Sequence, residues 1–147
     1  MQTETSITIY NKYGPSSNPS YKKTVIKNAT WRDHVLETIS TTQTSSGILN
    51  VAKDIKIRVP IFNNNFQNKT YIDPKLWSKS SLDTTRDNYF TIQENDYVVK
   101  GECDYDFSST NPITNLTNNY ADVVSIISKK VNNYGSKVLQ HFFIGGK

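Results

Sequence analysis

Residues 54–62 place an apolar side chain at every second position, and this alternation constrains the fold more than any other feature of the chain. The apolar positions fall on one face of an extended segment and the basic positions on the other. The apolar set is Ile55, Ile57, Val59 and Ile61, and the basic set is Lys56 and Arg58. Because Pro60 cannot donate a ladder hydrogen bond, it must lie at a sheet edge or a strand end. The pattern predicts an amphipathic β-strand.

Comparable segments occur at 6–13, 21–31, 89–107 and 121–147, the last of which predicts a terminal hairpin around an Asn/Gly turn. Asn, Ser and Thr number 16, 15 and 16 of the 147 residues, and these types favour turns and strands over helix interiors. We predict a single all-β domain spanning 1–147, mainly antiparallel, folded as a small barrel or sandwich with long polar loops and at most short helical turns. The expected core is Ile7, Ile9, Val25, Ile57, Val59, Val98, Val123, Ile126, Leu139 and Phe143.

Two segments predict long loops, 40–53 and 63–88. The first opens with eight residues, STTQTSSG, that include no large apolar side chain. The second is a polar excursion in which Asp73 and Pro74 predict a short helix ending at Trp77 or Ser78. Its expected anchors are Phe66, Tyr71, Ile72, Leu76 and Trp77.

The charges are segregated along the chain, although the net charge is only +4. Residues 12–32 carry five positive charges and no negative charge, whereas residues 94–106 carry five acids and one lysine. Such segregation suits head-to-tail packing of identical subunits, and it equally suits solvated strand faces. The chain opens without a signal peptide and has no apolar run that could span a membrane, so we expect synthesis in the cytoplasm and no membrane partner.

The chain offers few candidates for catalysis. Its two histidines, His34 and His141, and its one cysteine, Cys103, do not form a known zinc or nucleophile motif. We therefore predict no enzyme activity and no cofactor. His141 alternates with apolar neighbours, which indicates a hydrogen-bonded structural or interface residue.

Two weaker patterns point to ligands. Glu102, Asp104 and Asp106 would share one face of a strand, where carboxylates could bind a hard cation or do acid–base work; solvated charges are the simpler alternative. Three lysines near Tyr21 and Trp31 could contact phosphates beside stacked bases, as in single-strand binders. They are Lys22, Lys23 and Lys27.

Five segments, in order and across nearly the full length, resemble a family of minor capsid or head–tail connector proteins of long-tailed bacteriophages of Gram-positive hosts. They are ITIYNKY, TVIKNATW, IRVP, NDYVVKGE and NNYGSKVLQHFFIGGK. The chain departs from the family pattern at Asn28, where glycine is common, at Asn95 in the Gly-Asp turn, and at Phe142 and Phe143, which replace a Trp-containing pair.

The resemblance implies a β-barrel subunit that forms a ring in the phage neck, closes the portal channel after DNA packaging and joins head to tail. The implied partners are further copies in a ring of twelve, the portal and adaptor proteins above, the tail terminator or tail tube below, and packaged double-stranded DNA in the lumen. The implied location is the virion.

On that basis we expect a channel-gating loop within 40–53, comprising Thr44, Ser45, Ser46, Gly47, Ile48 and Leu49. The expected oligomer or stacking interface comprises Tyr71, Trp77, Lys129, Lys130 and His141. Two alternatives stay open: a tail terminator ring, and a small β-barrel module that binds nucleic acid or carbohydrate through its Tyr and Trp side chains.

Overall fold

The chain folds into a closed barrel of six antiparallel strands. The computed structural model describes residues 4–15, 17, 19–40, 48–62, 64, 66–107 and 112–147. Around the barrel the strand order is β1-β2-β3-β8-β7-β6. These strands are β1 (Glu4–Tyr13), β2 (Ser20–Ser40), β3 (Ile48–Pro60), β6 (Tyr97–Lys100), β7 (Val123–Asn132) and β8 (His141–Gly146). The predicted all-β fold is confirmed, and closure makes it a barrel.

Short elements fill the connections. A two-stranded parallel pair joins β4 (Thr70–Tyr71) to β5 (Tyr89–Phe90). Helix α1 covers Pro74–Trp77, as predicted, and the Asp73 carboxylate caps it by accepting from the Lys75 N–H at 2.9 Å. Helix α2 covers Thr114–Asn119, and single 3-10 turns cover Ser80–Leu82, Arg86–Asn88 and Lys137–Leu139. No described helix is long and apolar enough to cross a membrane.

The alternation of the strands places one apolar face inside the barrel. Ile7, Ile9, Ile57, Val59, Val98 and Ile126 are buried there, as predicted. On β8 the prediction chose the wrong phenylalanine, because Phe142 and Ile144 face inward and Phe143 faces outward. Leu139 is also wrong as a core residue: it lies in the 3-10 turn before β8 and is 63% exposed.

A second apolar cluster covers the outer wall of β1 and β6. The side chains of Tyr10 and Val99 lie on the opposite side of their strands from the core residues, and they pack against Cys103 and Leu116. The Tyr10 hydroxyl donates to the Tyr105 carbonyl at 2.7 Å, which holds the segment after β6 against this wall. Val123, predicted to be in the core, is half-buried and packs here, and Val25 is also only half-buried.

The excursion at 63–88 closes one end of the barrel. Phe66 and Tyr71 pack against the core rings of Phe90 and Phe142, with the Tyr71 and Phe142 centroids 4.6 Å apart. Phe66 and Tyr71 therefore extend the barrel core. Leu76 is wrong as an anchor, because its side chain is 48% exposed.

The predicted loop at 40–53 is wrong at Ser40 and at 48–53, because β2 runs to Ser40 and β3 starts at Ile48. The two strands pair from Thr30 with Arg58 to Ser40 with Ile48. Residues 41–47 lie outside the described part of the chain. The polar sequence before Ile48 concealed the fact that backbone pairing continues well past the barrel.

The contrast between Phe142 and Phe143 gives a test of the register. We expect Phe142→Ala to lower the free energy of unfolding by about 3–5 kcal/mol, because it removes a ring packed among three other aromatic rings. Phe143→Ala on the outer wall should cost less than about 1 kcal/mol. Urea denaturation of both variants measures the difference, and equal losses would contradict this register.

Candidate functional site

The longest feature outside the barrel is the β2–β3 ribbon, defined as residues 34–40 and 48–54. Pairing of β3 with β8 ends at Ile55, and pairing of β1 with β2 ends at Thr30. Seven further pairs, from His34 with Asp54 to Ser40 with Ile48, therefore have no third strand beside them in the described structure. At about 3.3 Å per residue the ribbon extends roughly 20 Å beyond the wall.

Two of the six expected gating residues lie in the described part of the ribbon. Ile48 and Leu49 are the first residues of β3 and are paired with Ser40 and Ile39. Thr44, Ser45, Ser46 and Gly47 lie in 41–47, outside the described residues. The described part of the ribbon lies at one end of the barrel, together with the start of β1 and the end of β8.

Of the expected interface residues, Trp77 is placed inside the protein. It is 1% exposed, its indole Nε1–H donates to the Lys12 carbonyl at 2.8 Å, and its ring meets Tyr13 edge-on. The Arg86 guanidinium is also buried, lies 4.7 Å from the Tyr13 ring centroid and 4.8 Å from that of Trp77, and donates to the Trp77 carbonyl. These contacts fix the excursion on the barrel, so Trp77 is not available to a partner.

Lys129 and Lys130, expected to act together, point to different sides of β7. Lys129 Nζ donates to the Tyr71 hydroxyl at 2.8 Å and lies over the Tyr71 ring. Lys130 is exposed and pairs in register with Phe143 on the outer wall. Only Lys130 is therefore a free surface charge among these two.

His141 begins β8 and has partners for both of its ring nitrogens. Nε2 lies 3.0 Å from the Asn132 Nδ2 amide, and Nδ1 lies 2.8 Å from the Leu139 carbonyl. Because the Leu139 carbonyl can only accept, Nδ1 donates to it, and Nε2 is left to accept from the Asn132 amide. His141 is therefore hydrogen-bonded, as predicted, and its place in an interface stays a prediction.

A basic groove on the outer wall was missed by sequence reasoning. It is a depression of about 100 Å³ between β2, β3 and β8, lined by Thr30, Arg32, Lys56, Arg58 and Phe143. Arg32 lies directly opposite Lys56, and Thr30 lies directly opposite Arg58. The alternation of 54–62 revealed that Lys56 and Arg58 face outward, but only the register between strands shows that Arg32 joins them.

The lysines that the sequence suggested for nucleic acid are already paired with acids. Lys22 Nζ lies 2.8 Å from Asp87, and Lys23 Nζ lies 2.9 Å from Asp106. Lys27 Nζ contacts Glu102 at 2.6 Å. Their charges are locally balanced, so this part of β2 is a weaker candidate for phosphate contact than the basic groove.

The acids at 102–106 do not form the predicted strand face, because β6 ends at Lys100 and Gly101 takes a positive φ of 89°. Glu102, Asp104 and Asp106 are exposed, and two of them make the ion pairs with Lys27 and Lys23. Within the described residues no group of three or more His, Cys, Asp or Glu side chains could hold a metal ion.

A buried polar network ties β1 to the turn before β6. The Asn11 side chain donates to the Thr91 carbonyl at 2.7 Å and to the Asp96 carboxylate at 3.0 Å. The other Asp96 oxygen accepts from the Lys12 N–H at 3.2 Å. Asp96 and Trp77 also line a cleft of about 360 Å³ at the end of the barrel where β6 begins. The sequence indicated only a turn at Asp96 and gave no sign of its burial.

Exposed apolar side chains gather at the same end. Tyr134, Val138 and Leu139 lie in the β7–β8 turn and are 69%, 65% and 63% exposed. Phe62 follows Ile61, whose N–H donates to the Gln140 carbonyl at 3.0 Å and so brings Phe62 close to this turn. We call these four residues the apolar end patch.

These features define a small closed antiparallel barrel with a long ribbon at one end and an apolar patch at the other. The chain belongs to a family of unknown function (DUF6751), which matches residues 2–147. No curated protein and no solved structure matches it.

Asp96 generates a prediction about pH. Burial raises the pKa of its carboxyl to about 7, against the lowering effect of the donors from Asn11, Lys12 and Gln93. Because an unfolded Asp has a pKa near 3.9, the native state holds a proton that the unfolded state releases. The stabilisation by this group is complete below about pH 4 and is lost as the pH rises toward 7.

We therefore expect the free energy of unfolding to fall between pH 5.5 and pH 8 by about 2 kcal/mol through Asp96 alone. Asp96→Asn cannot ionise and should remove that part of the pH dependence. Urea denaturation of both proteins at several pH values measures the difference between them. Parallel curves for the two proteins would show that Asp96 does not titrate in this range.

Proposed function

We propose that the protein is a structural subunit of a phage neck, which forms a ring that closes the portal channel after DNA packaging and joins head to tail. The observation that carries this proposal is the β2–β3 ribbon, because a two-stranded hairpin without a third strand is only marginally stable in water. A ribbon of this length gains its order from neighbours, which a ring supplies by bringing copies together around one axis.

The opposite end of the barrel supports the second half of the proposal. The apolar end patch exposes four large side chains, and burying them against another protein is favourable by about 25 cal/mol per Å² of apolar area. A connector needs two distinct contact surfaces, one toward the channel and one toward a neighbouring ring. The barrel offers them at its two ends.

In this role the subunit acts with further copies in a ring of twelve, with the portal and adaptor proteins on one side and the tail terminator or tail tube on the other. Packaged double-stranded DNA fills the lumen, and the location is the virion. The role requires no catalytic residue and no cofactor. The family resemblance of the five sequence segments supplies these partners, and in this proposal the ribbon makes the channel-closing contact.

A ribbon truncation tests the proposal. Residues 36–52 are replaced by Asn-Gly, a two-residue turn that joins the opposed residues Val35 and Lys53 and leaves the barrel ladders intact. We expect particles with this variant to package DNA and then lose it before tail joining, because the channel lacks its closure. Nuclease sensitivity of the packaged DNA measures the loss.

The matched control is Val138→Ser/Leu139→Ser, which changes the opposite end of the barrel. Those particles should retain their DNA, and any defect should lie in attachment to the neighbouring ring. Full, stable, infectious particles carrying the truncated ribbon would refute channel closure. If the protein stays monomeric in the presence of the portal and adaptor proteins of its own phage, the ring is refuted. Assembly on isolated tail tubes alone would indicate a tail terminator.

A further inference from the structure

The basic groove concentrates positive charge that the fold itself does not balance. Arg32, Lys56 and Arg58 make no ion pair with any described carboxylate, whereas four other basic residues do. Lys130 extends the same surface, because it lies opposite Phe143, which in turn lies opposite Arg58. Four cations thus occupy neighbouring outward positions on β2, β3 and β7.

The register makes this arrangement unfavourable for the isolated subunit. Arg32 and Lys56 are directly opposite, at a cross-strand Cβ separation of about 4.5–5.5 Å, and like charges in such a pair are destabilising. Arg58 follows two residues after Lys56 on the same face. An anion in the groove would relieve this repulsion, and the Thr30 hydroxyl beside the two arginines can donate to it.

We propose that the basic groove binds the phosphate backbone of double-stranded DNA. Arginine presents a planar fork that matches phosphate oxygens, and duplex DNA carries one negative charge per about 1.7 Å of its axis, so it can engage several cations at once. Phe143 holds Lys56 in place, since Lys56 Nζ lies 5.7 Å from the centroid of its ring.

Duplex DNA suits the groove better than the acidic segment of a second copy does. The acids concentrated after β6 are partly neutralised within their own chain, because Glu102 binds Lys27 and Asp106 binds Lys23. Every phosphate of a duplex is available, and contact with it needs no base readout, which fits a groove without amide side chains.

The position of the groove connects it to the channel. Only the pair Asp33–Ile55 separates Arg32–Lys56 from the first pair of the ribbon, so the groove lies at the root of the ribbon on the barrel wall. The inference rests on the proposed function in one respect: ribbons that point into a ring lumen bring their roots toward the DNA inside it.

The test compares two variants of equal charge. The groove variant is Arg32→Gln/Lys56→Gln/Arg58→Gln, and the matched control is Lys75→Gln/Lys79→Gln/Lys137→Gln, whose three side chains are exposed away from the groove. Binding of a fluorescein-labelled 20-base-pair duplex is measured by anisotropy between 50 and 200 mM salt. The mass of each protein is recorded in the same buffers, and thermal melting verifies folding.

We expect the groove variant to lose at least about tenfold in affinity at the lowest salt, and the slope of log affinity against log salt to become shallower by about 2–3. The control should keep the wild-type slope within about 0.5. Arg32→Gln/Lys56→Gln, which leaves the half-buried Arg58 intact, provides a milder variant if the triple variant does not fold, and its slope should change by about 2.

Three results would overturn the inference. Equal losses of affinity in both variants would indicate an effect of net charge alone, and binding of inorganic phosphate without binding of the duplex would exclude DNA as the ligand. A change of assembly mass in the groove variant at unchanged DNA affinity would make the groove a contact between copies. If the protein forms rings but the groove variant binds DNA as tightly as the wild type does, the role of the groove is refuted and the neck role is left intact. Groove-dependent DNA binding by a chain that never assembles would refute the neck role instead.

Discussion

Closure of the barrel through β8 is the constraint on which the rest of the structure depends, because β8 forms a ladder along its full length on both of its edges. It pairs with β3 from His141 to Gly146 and with β7 over the same residues. Gly146 makes the closure possible, since a Cβ there would lie 2.7 Å from a methyl group of Val124. Phe142 and Ile144 then fill the interior that closure creates. The ribbon, the basic groove and the apolar end patch all take their positions from this wall.

The fold class followed from the sequence because alternation of apolar and polar residues is a local property. Ile7, Ile9, Ile57 and Val59 are buried because each belongs to a run with a clear period of two. Phe142 and Phe143 could not be separated in that way, since two adjacent phenylalanines satisfy either register. Partner strands decide between them: Phe142 is paired with Val59, whose side chain faces inward.

The candidate sites depended on non-local contacts and were harder to predict. Arg32, Lys56 and Arg58 are far apart in the chain and meet only through the register of β2 and β3. Lys22, Lys23 and Lys27 were the more conspicuous cluster, yet each is paired with an acid from a distant segment. Trp77 was expected both as an anchor of the excursion and in the oligomer interface, and it is a buried anchor. Its indole is buried because Lys12, Tyr13 and Arg86 surround it.

The double pairing of β8 also has a consequence for biosynthesis. The barrel cannot close until residues 141–146 have left the ribosome, so during synthesis the edges of β3 and β7 carry unpaired backbone groups. Unpaired strand edges template association with other chains. A nascent chain is therefore most prone to aggregate in the interval before β8 emerges, and slower translation of residues 141–146 would prolong that interval.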